Sequence, residues 1–252
     1  MGRRLVIRLR SSMVRTSLDA LLGFRRVFTS FADAQASASR YIQAGHEHPD
    51  EIRYHTSIAG TLRESDYPVL FHLAPLLPHL RSVFDLGGNV GNLFYAYQSQ
   101  LAFPTTLRWT VYDLPVKKPL AEKLAAERGE TRIRFTTNLA QASGSDVFIA
   151  SGSLHYFEPP LAELLRSLPQ LPTHVFVNRT PFSLGPDLIT VQDNRSYLVP
   201  CKLHSRASLI AGLRALGYEL CSEWPVHERR MHLPTHPDLC SRTYSGFYFR
   251  KS

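Results

Sequence analysis

Val83-Phe84-Asp85-Leu86-Gly87-Gly88-Asn89-Val90-Gly91 is the stretch from which the rest of the chain can be read. Its apolar start reads as a β-strand that empties into a glycine-rich turn, and Leu93 to Gln100 beyond it reads as a helix. Glycines in such a turn let the backbone approach a ligand closely, and the helix start behind it lends N–H donors and positive potential. Alone this is a weak motif. The second element is Trp109-Thr110-Val111-Tyr112-Asp113-Leu114-Pro115, in which Asp113 ends the next strand 22 residues after Gly91. A carboxylate there accepts the ribose hydroxyls of an adenine nucleoside. With the two elements in register, the sequence points to nucleoside binding.

Around this pair, short apolar runs alternate with amphipathic ones, the sign of a parallel sheet built from strand–helix–strand units. Strands are expected at Arg81 to Leu86, Leu107 to Tyr112, Arg132 to Phe135, Asp146 to Ser151 and His174 to Asn178. Helices are expected at Leu93 to Gln100, Val116 to Arg128 and Leu161 to Leu168. After a long Pro-containing segment from Thr180 to Ser205, a helix over Ala207 to Leu216 precedes a closing pair, Tyr218 to Trp224 and Gly246 to Arg250. Upstream, Ser30 can cap a helix that runs through Ala-rich sequence to end near Gly45. Residues 1–80 read as a basic, helical N-terminal extension and 81–252 as the nucleoside-binding domain.

The spacing Gly-Gly-x-x-Gly differs from GxGxxG, and Asp85 lies two residues before the first glycine. A carboxylate there would repel a pyrophosphate but suits a ligand with a sulfonium and an ammonium group. On these residues the chain resembles the class I S-adenosylmethionine-dependent methyltransferases, whose first motif has an acid, a variable residue and then glycines. Asp113-Leu114-Pro115 is similar to the ribose-binding segment of many small-molecule O-methyltransferases. The ending, Gly217-Tyr218-Glu219-Leu220 and Ser245-Gly246-Phe247-Tyr248-Phe249, resembles the antiparallel pair that closes the fold, so the likeness covers about residues 80–250. The whole chain, Phe28-Thr29-Ser30-Phe31-Ala32-Asp33-Ala34 included, resembles a bacterial family of methyltransferases whose name gives no acceptor.

The resemblance implies a Rossmann-like α/β fold, a seven-stranded, mostly parallel sheet with helices on both faces and the last strand antiparallel. It implies S-adenosylmethionine as cofactor, with Asp85, Gly87, Gly88, Asn89 and Gly91 at the methionine part. Asp113, Leu114, Asn138, Ser151 and Tyr156 complete the cofactor set. The chain departs from the superfamily at Asn89, where another glycine is common, and at Thr136-Thr137-Asn138, where an acid is expected.

Ser151-Gly152-Ser153-Leu154-His155-Tyr156 follows the fourth strand, whose C-terminal end opens on the ligand crevice in such sheets. His155 could take a proton from an acceptor hydroxyl, or only position the ligand. Asn178 and Arg179, at the mouth of the fifth strand, and Tyr197 and His204, in the long segment after it, are candidate acceptor contacts. His227, His232, His236 and Cys240 are spaced like metal ligands, but Pro234 and Pro237 break the helical face they would need, so no metal is expected.

The chain has 252 residues, 44% of them hydrophobic and 20% charged, an ordinary globular composition. No run approaches the ~20 apolar residues needed to span a bilayer. Three cysteines without CxxC spacing argue for a reducing compartment, with cytoplasm as the default. Of the formal +8 charge, most comes from seven arginines in the first thirty residues, which leaves 22 basic against 20 acidic residues elsewhere. That distribution argues against nucleic acid as partner and suits peripheral contact with an anionic membrane. The favoured acceptor is a hydroxyl on a metabolite or saccharide. Three alternatives remain open: a nucleic-acid methyltransferase, an NAD-dependent oxidoreductase and a noncatalytic module that keeps the cofactor fold.

Overall fold

The computed structural model describes residues 24, 27–39, 57–193, 198–231, 233 and 236–252. Five strands follow the expected alternation within two residues at either end: β1 (Ser82–Leu86), β2 (Arg108–Tyr112), β3 (Ile133–Thr136), β4 (Val147–Ser151) and β5 (His174–Thr180). Two short strands follow in the segment after β5, β6 (Phe182–Ser183) and β7 (Leu188–Asp193), then β8 (Leu198–Ser205), β9 (Tyr218–Arg230) and β10 (Thr243–Lys251). One sheet has seven strands in the order β3-β2-β1-β4-β5-β10-β9, with β10 antiparallel to both its neighbours. This is the architecture the sequence resemblance implies. The chain winds outward from β1 in one direction and from β4 in the other, so a crevice opens between their C-terminal ends.

Strand alternation divides the core in two. Val83 and Asp85 face one side, with Trp109, Phe94 and Tyr97, whereas Phe84 and Leu86 face the other, with Phe148, Val175 and Phe247. Helices Asn92–Tyr97 and Asp66–Leu73 cover the first face and Leu161–Arg166 and Arg206–Ala215 the second. Asp146 joins the starts of β1 and β4 by accepting the N–H groups of Arg81 (2.7 Å) and Ser82 (2.8 Å).

Two expectations need correction. The long Pro-containing segment Thr180 to Ser205, for which the sequence suggests no strands, carries β6, β7 and β8, which form a second, three-stranded sheet in the order β6-β8-β7. Helix Phe31–Ser39 packs Ala34 and Ala38 against Val191 and Leu198 of that sheet, and Phe28 N–H reaches the Ile189 carbonyl at 2.8 Å. The helix starts as expected, with Ser30 Oγ accepting the Asp33 N–H at 3.0 Å; its expected end near Gly45 lies outside the described residues. Strand β9 also runs six residues past Trp224, through Pro225 and His227. Pro lacks the N–H a ladder needs, but β9 is the sheet edge, where that loss is tolerated.

The β9–β10 register rests on a close approach. Gly246 lies under the Trp224 indole, where an added Cβ would come within 2.1 Å of the ring, and the indole N–H donates to Asn178 Oδ1 at 3.1 Å. Gly246→Ala should therefore cost about 1–3 kcal/mol through overpacking. Urea denaturation reads this directly, and an unchanged midpoint would show that the indole moves aside freely.

Candidate functional site

The site is built where β1 and β2 end side by side. Gly87 leaves β1 with φ +70, a conformation that favours glycine, and an added Cβ would come within 2.4 Å of Ser153 Cβ. The turn therefore packs directly on the loop after β4, and Ser153 Oγ donates to the Leu86 carbonyl. Asn89 holds the left-handed conformation at φ 57, which asparagine tolerates better than other residues with a side chain. Its N–H donates to Asp113 Oδ2 at 2.7 Å, which ties the turn to the end of β2. Gly91, at φ 93, begins helix Asn92–Tyr97.

Asp85 is the most unusual group in the turn. It is 1% exposed, its Oδ2 accepts from Trp109 Nε1 at 3.3 Å, and its Oδ1 is buried with no hydrogen-bond partner. Burial pushes its carboxyl up to about 7 against the opposing effect of the indole bond, and the nearby Asp113 charge adds to the rise. Asn89 Oδ1 is a second buried oxygen without a partner in the same turn. Two unmatched acceptors suit a ligand group rich in N–H donors and positively charged; a phosphate, which offers only acceptors, does not fit them.

Across the β2 end, Asp113 lies in a pocket lined by Asn89, Val111, Leu114, Lys117, Phe135 and Thr136. Its Oδ1 accepts the Leu114 N–H at 2.7 Å and faces Lys117 Nζ at 3.3 Å. Asn138, expected among the ligand contacts, caps the short 3-10 turn Leu139–Ala142 by accepting the Ala140 N–H at 3.0 Å. Ser151, at the end of β4, accepts from Asn178 Nδ2 at 3.2 Å.

The turn after β4 faces the second sheet. His155 is 2% exposed, with its ring 4.0 Å from that of Tyr156 and 6.2 Å from that of Tyr244. Tyr156 donates to Gln192 Oε1 of β7 at 2.7 Å, and Gln192 Nε2 donates on to the Tyr244 hydroxyl at 3.1 Å. Tyr156, expected at the cofactor, thus also joins the sheet floor to the second sheet. His204 Nε2 lies 3.3 Å from the Leu154 carbonyl, and burial holds its imidazole down at about 4, so it is neutral near pH 7. It braces the turn that carries His155. Arg179, the penultimate residue of β5, sits at φ 50 and pairs with Glu228 at 2.9 Å, on the side of Asp66, whose carboxyl accepts from Tyr97 at 3.1 Å. Tyr197 lies outside the described residues. Lys117 and Tyr244 escaped the reading of the sequence, although Lys117 follows Asp113 by four residues, a spacing that signals pairing; Gln192, expected in an acceptor lid, links Tyr156 to Tyr244.

No protein-family model matches the chain, and no curated protein matches it. Solved structures do share its fold. One is the 1,6-didemethyltoxoflavin-N1-methyltransferase of Burkholderia thailandensis, crystallised with 1,6-didemethyltoxoflavin and S-adenosylhomocysteine, at 20% identity over 89% of this chain and 92% of that one, with a TM-score of 0.54. A second is an O-methyltransferase family protein of the same organism, at 14% identity over 88% and 68%, TM-score 0.53. A third is the magnesium protoporphyrin IX methyltransferase of Synechocystis PCC 6803 with S-adenosylmethionine bound, at 14% identity over 89% and 100%, TM-score 0.51. At these identities the likeness establishes the fold, that of the class I methyltransferases. Among the described residues, no helix is long and apolar enough to cross a membrane.

The raised Asp85 carboxyl gives a signed pH dependence. Its folded value of about 7 lies above its ordinary value of 3.8, so folding favours the protonated form. The stability this confers is complete below about pH 4 and is lost as pH rises through about 7. Asp85→Asn should remove that decline, leaving the variant relatively more stable than wild type at pH 8 than at pH 5. Denaturation midpoints at the two pH values test it, and equal differences at both would mean that Asp85 is solvated.

Proposed function

We propose that this chain, which has the class I methyltransferase fold, transfers a methyl group from S-adenosylmethionine to an oxygen of a small-molecule acceptor. The observation that carries the reading is the buried, unpartnered Oδ1 of Asp85 inside the glycine turn, an acceptor that a cationic, N–H-bearing methionine end would satisfy. Asp85, Gly87, Gly88, Asn89 and Gly91 hold that end, and Asp113 with Leu114 holds the ribose. Val111 and Phe135 supply apolar surface for the adenine, and Asn138, Ser151 and Tyr156 border the same crevice.

The bound cofactor supplies a methyl group already activated by its sulfonium. The protein's part is then alignment of the acceptor and exclusion of water. The turn with His155, closed over by β7 and β8, provides the dry wall, and His155 takes the acceptor's proton. Asn178, Arg179 and His204 belong to the acceptor side, and Tyr197 is assigned to it on the sequence alone. A metabolite or saccharide acceptor agrees with the company the fold keeps, since one protein of this fold was crystallised with 1,6-didemethyltoxoflavin and another in the presence of D-fucose. Residues 1–80 act as an N-terminal extension to the cofactor-binding domain at 81–252, with the arginine-rich start available for anionic membrane surface. The three cysteines are free, which fits a reducing compartment such as the cytoplasm.

Transfer of labelled methyl from S-adenosylmethionine to a panel of hydroxylated metabolites and sugars tests the activity, and a chain that binds the cofactor yet labels nothing would contradict it. Asp113→Ala should weaken S-adenosylhomocysteine binding by about 1–3 kcal/mol in calorimetry, because a ribose hydroxyl loses its charged acceptor; unchanged affinity would place the ribose elsewhere. On the acceptor the panel identifies, His155→Ala should lower turnover about a hundredfold with cofactor affinity unchanged. Wild-type turnover would remove the histidine from proton transfer.

A further inference from the structure

We propose that Lys117 is a cofactor-positioning residue, whose ammonium forms with the Asp113 carboxylate a donor–acceptor pair that reads the two neighbouring hydroxyls of a ribose. The inference rests on the nucleoside reading above and assigns the diol to two residues instead of one. A lysine side chain only 5% exposed is rare unless its charge is matched. Here the match is Asp113, itself 12% exposed, with Nζ and Oδ1 3.3 Å apart. The tight turn Pro115–Lys117 brings them together, closed by the Lys117 N–H donating to the Leu114 carbonyl at 3.0 Å.

An ionised carboxylate offers about four acceptor sites. The Asp113 oxygens already receive the Leu114 N–H and the Asn89 N–H, each at 2.7 Å, and face the Lys117 ammonium. About one site is left, enough for one hydroxyl. The other hydroxyl of a diol needs its own partner, and Lys117 lines the same pocket as Asp113, Val111 and Phe135. A hydroxyl oxygen can accept from an ammonium while its neighbour donates to the carboxylate, so the pair matches a diol in both polarity and spacing. A lysine serving only to neutralise Asp113 would hold the pocket together without distinguishing ribose from deoxyribose.

Calorimetric titration separates the two roles. S-adenosylhomocysteine and its 2′-deoxy and 3′-deoxy analogues are titrated into wild type and Lys117→Met, and the melting temperature of each unliganded protein is recorded. Wild type should prefer S-adenosylhomocysteine over the analogue lacking the lysine-facing hydroxyl by about tenfold to a hundredfold, as for a hydrogen bond to a charged group. Lys117→Met should reduce S-adenosylhomocysteine affinity to that analogue's level and leave the analogue's own affinity within about twofold. An equal loss for all three ligands would overturn the proposal, because the lysine would then only shape the pocket. If Lys117→Met does not fold, Lys117→Ala, which also removes the donor, carries the same comparison with the same two outcomes. Failure of wild type to bind any of the three overturns the methyltransferase reading and this inference with it, a result seen without any variant.

Discussion

The hydrogen bond from the Asn89 N–H to the Asp113 carboxylate, 2.7 Å long, is the joint on which the site depends. It connects a turn that must leave β1 in a left-handed conformation to the end of a neighbouring strand. A second bond, from Gly87 N–H to the Tyr112 carbonyl at 2.7 Å, fixes the same junction two residues earlier in the turn and one earlier on β2. Together they set where the turn stands relative to β2 before any ligand arrives. A preformed site of this kind avoids the ordering cost that a mobile loop would add to binding. Asp113 is thus structural as well as the proposed ribose contact, and its two oxygens are oriented from both sides, by Leu114 and Lys117 on one and Asn89 on the other.

Asp85 shows the opposite economy. Strand alternation turns it toward Trp109, Phe94 and Tyr97, where a carboxylate loses its hydration and recovers only one indole bond. An apolar residue would serve the fold better there, since an unpaired buried acceptor is costly. Gly88 allows the side chain its place, because an added Cβ at that glycine would stand 2.3 Å from Asp85 Oδ2. Acid and glycine therefore come as a unit, and a unit that destabilises the fold is best explained by a ligand that completes it.

The repeating part of the fold was legible because its signals are local. β1 to β5 each carry an apolar run bounded by turn residues, and the glycine turn and Asp113 sit at chain positions that the strand–helix–strand geometry fixes. The second sheet was not legible. Phe182–Ser183 is two residues long, and β8 contains Pro200, a residue that argues against a strand in sequence; the sheet packs on helix Phe31–Ser39, about 150 residues earlier in the chain. The links Tyr156–Gln192–Tyr244 and His204–Leu154 are equally non-local. Side-chain partnership across the sheet, unlike strand order, leaves no spacing in a single sequence. Lys117 is the exception, since its offset from Asp113 was present in the chain and only its burial was hidden.

The second sheet gives the account its shape as a mechanism, because it covers the histidine turn while the glycine turn and the β2 pocket stand beside it. The central claim is that this crevice takes a nucleoside with a cationic amino-acid tail in preference to one with a pyrophosphate. Calorimetric titration of the full chain with S-adenosylhomocysteine and, separately, NADH tests it most directly. The account predicts one S-adenosylhomocysteine bound per chain and no heat of binding from NADH. Saturable NADH binding without S-adenosylhomocysteine binding would contradict it.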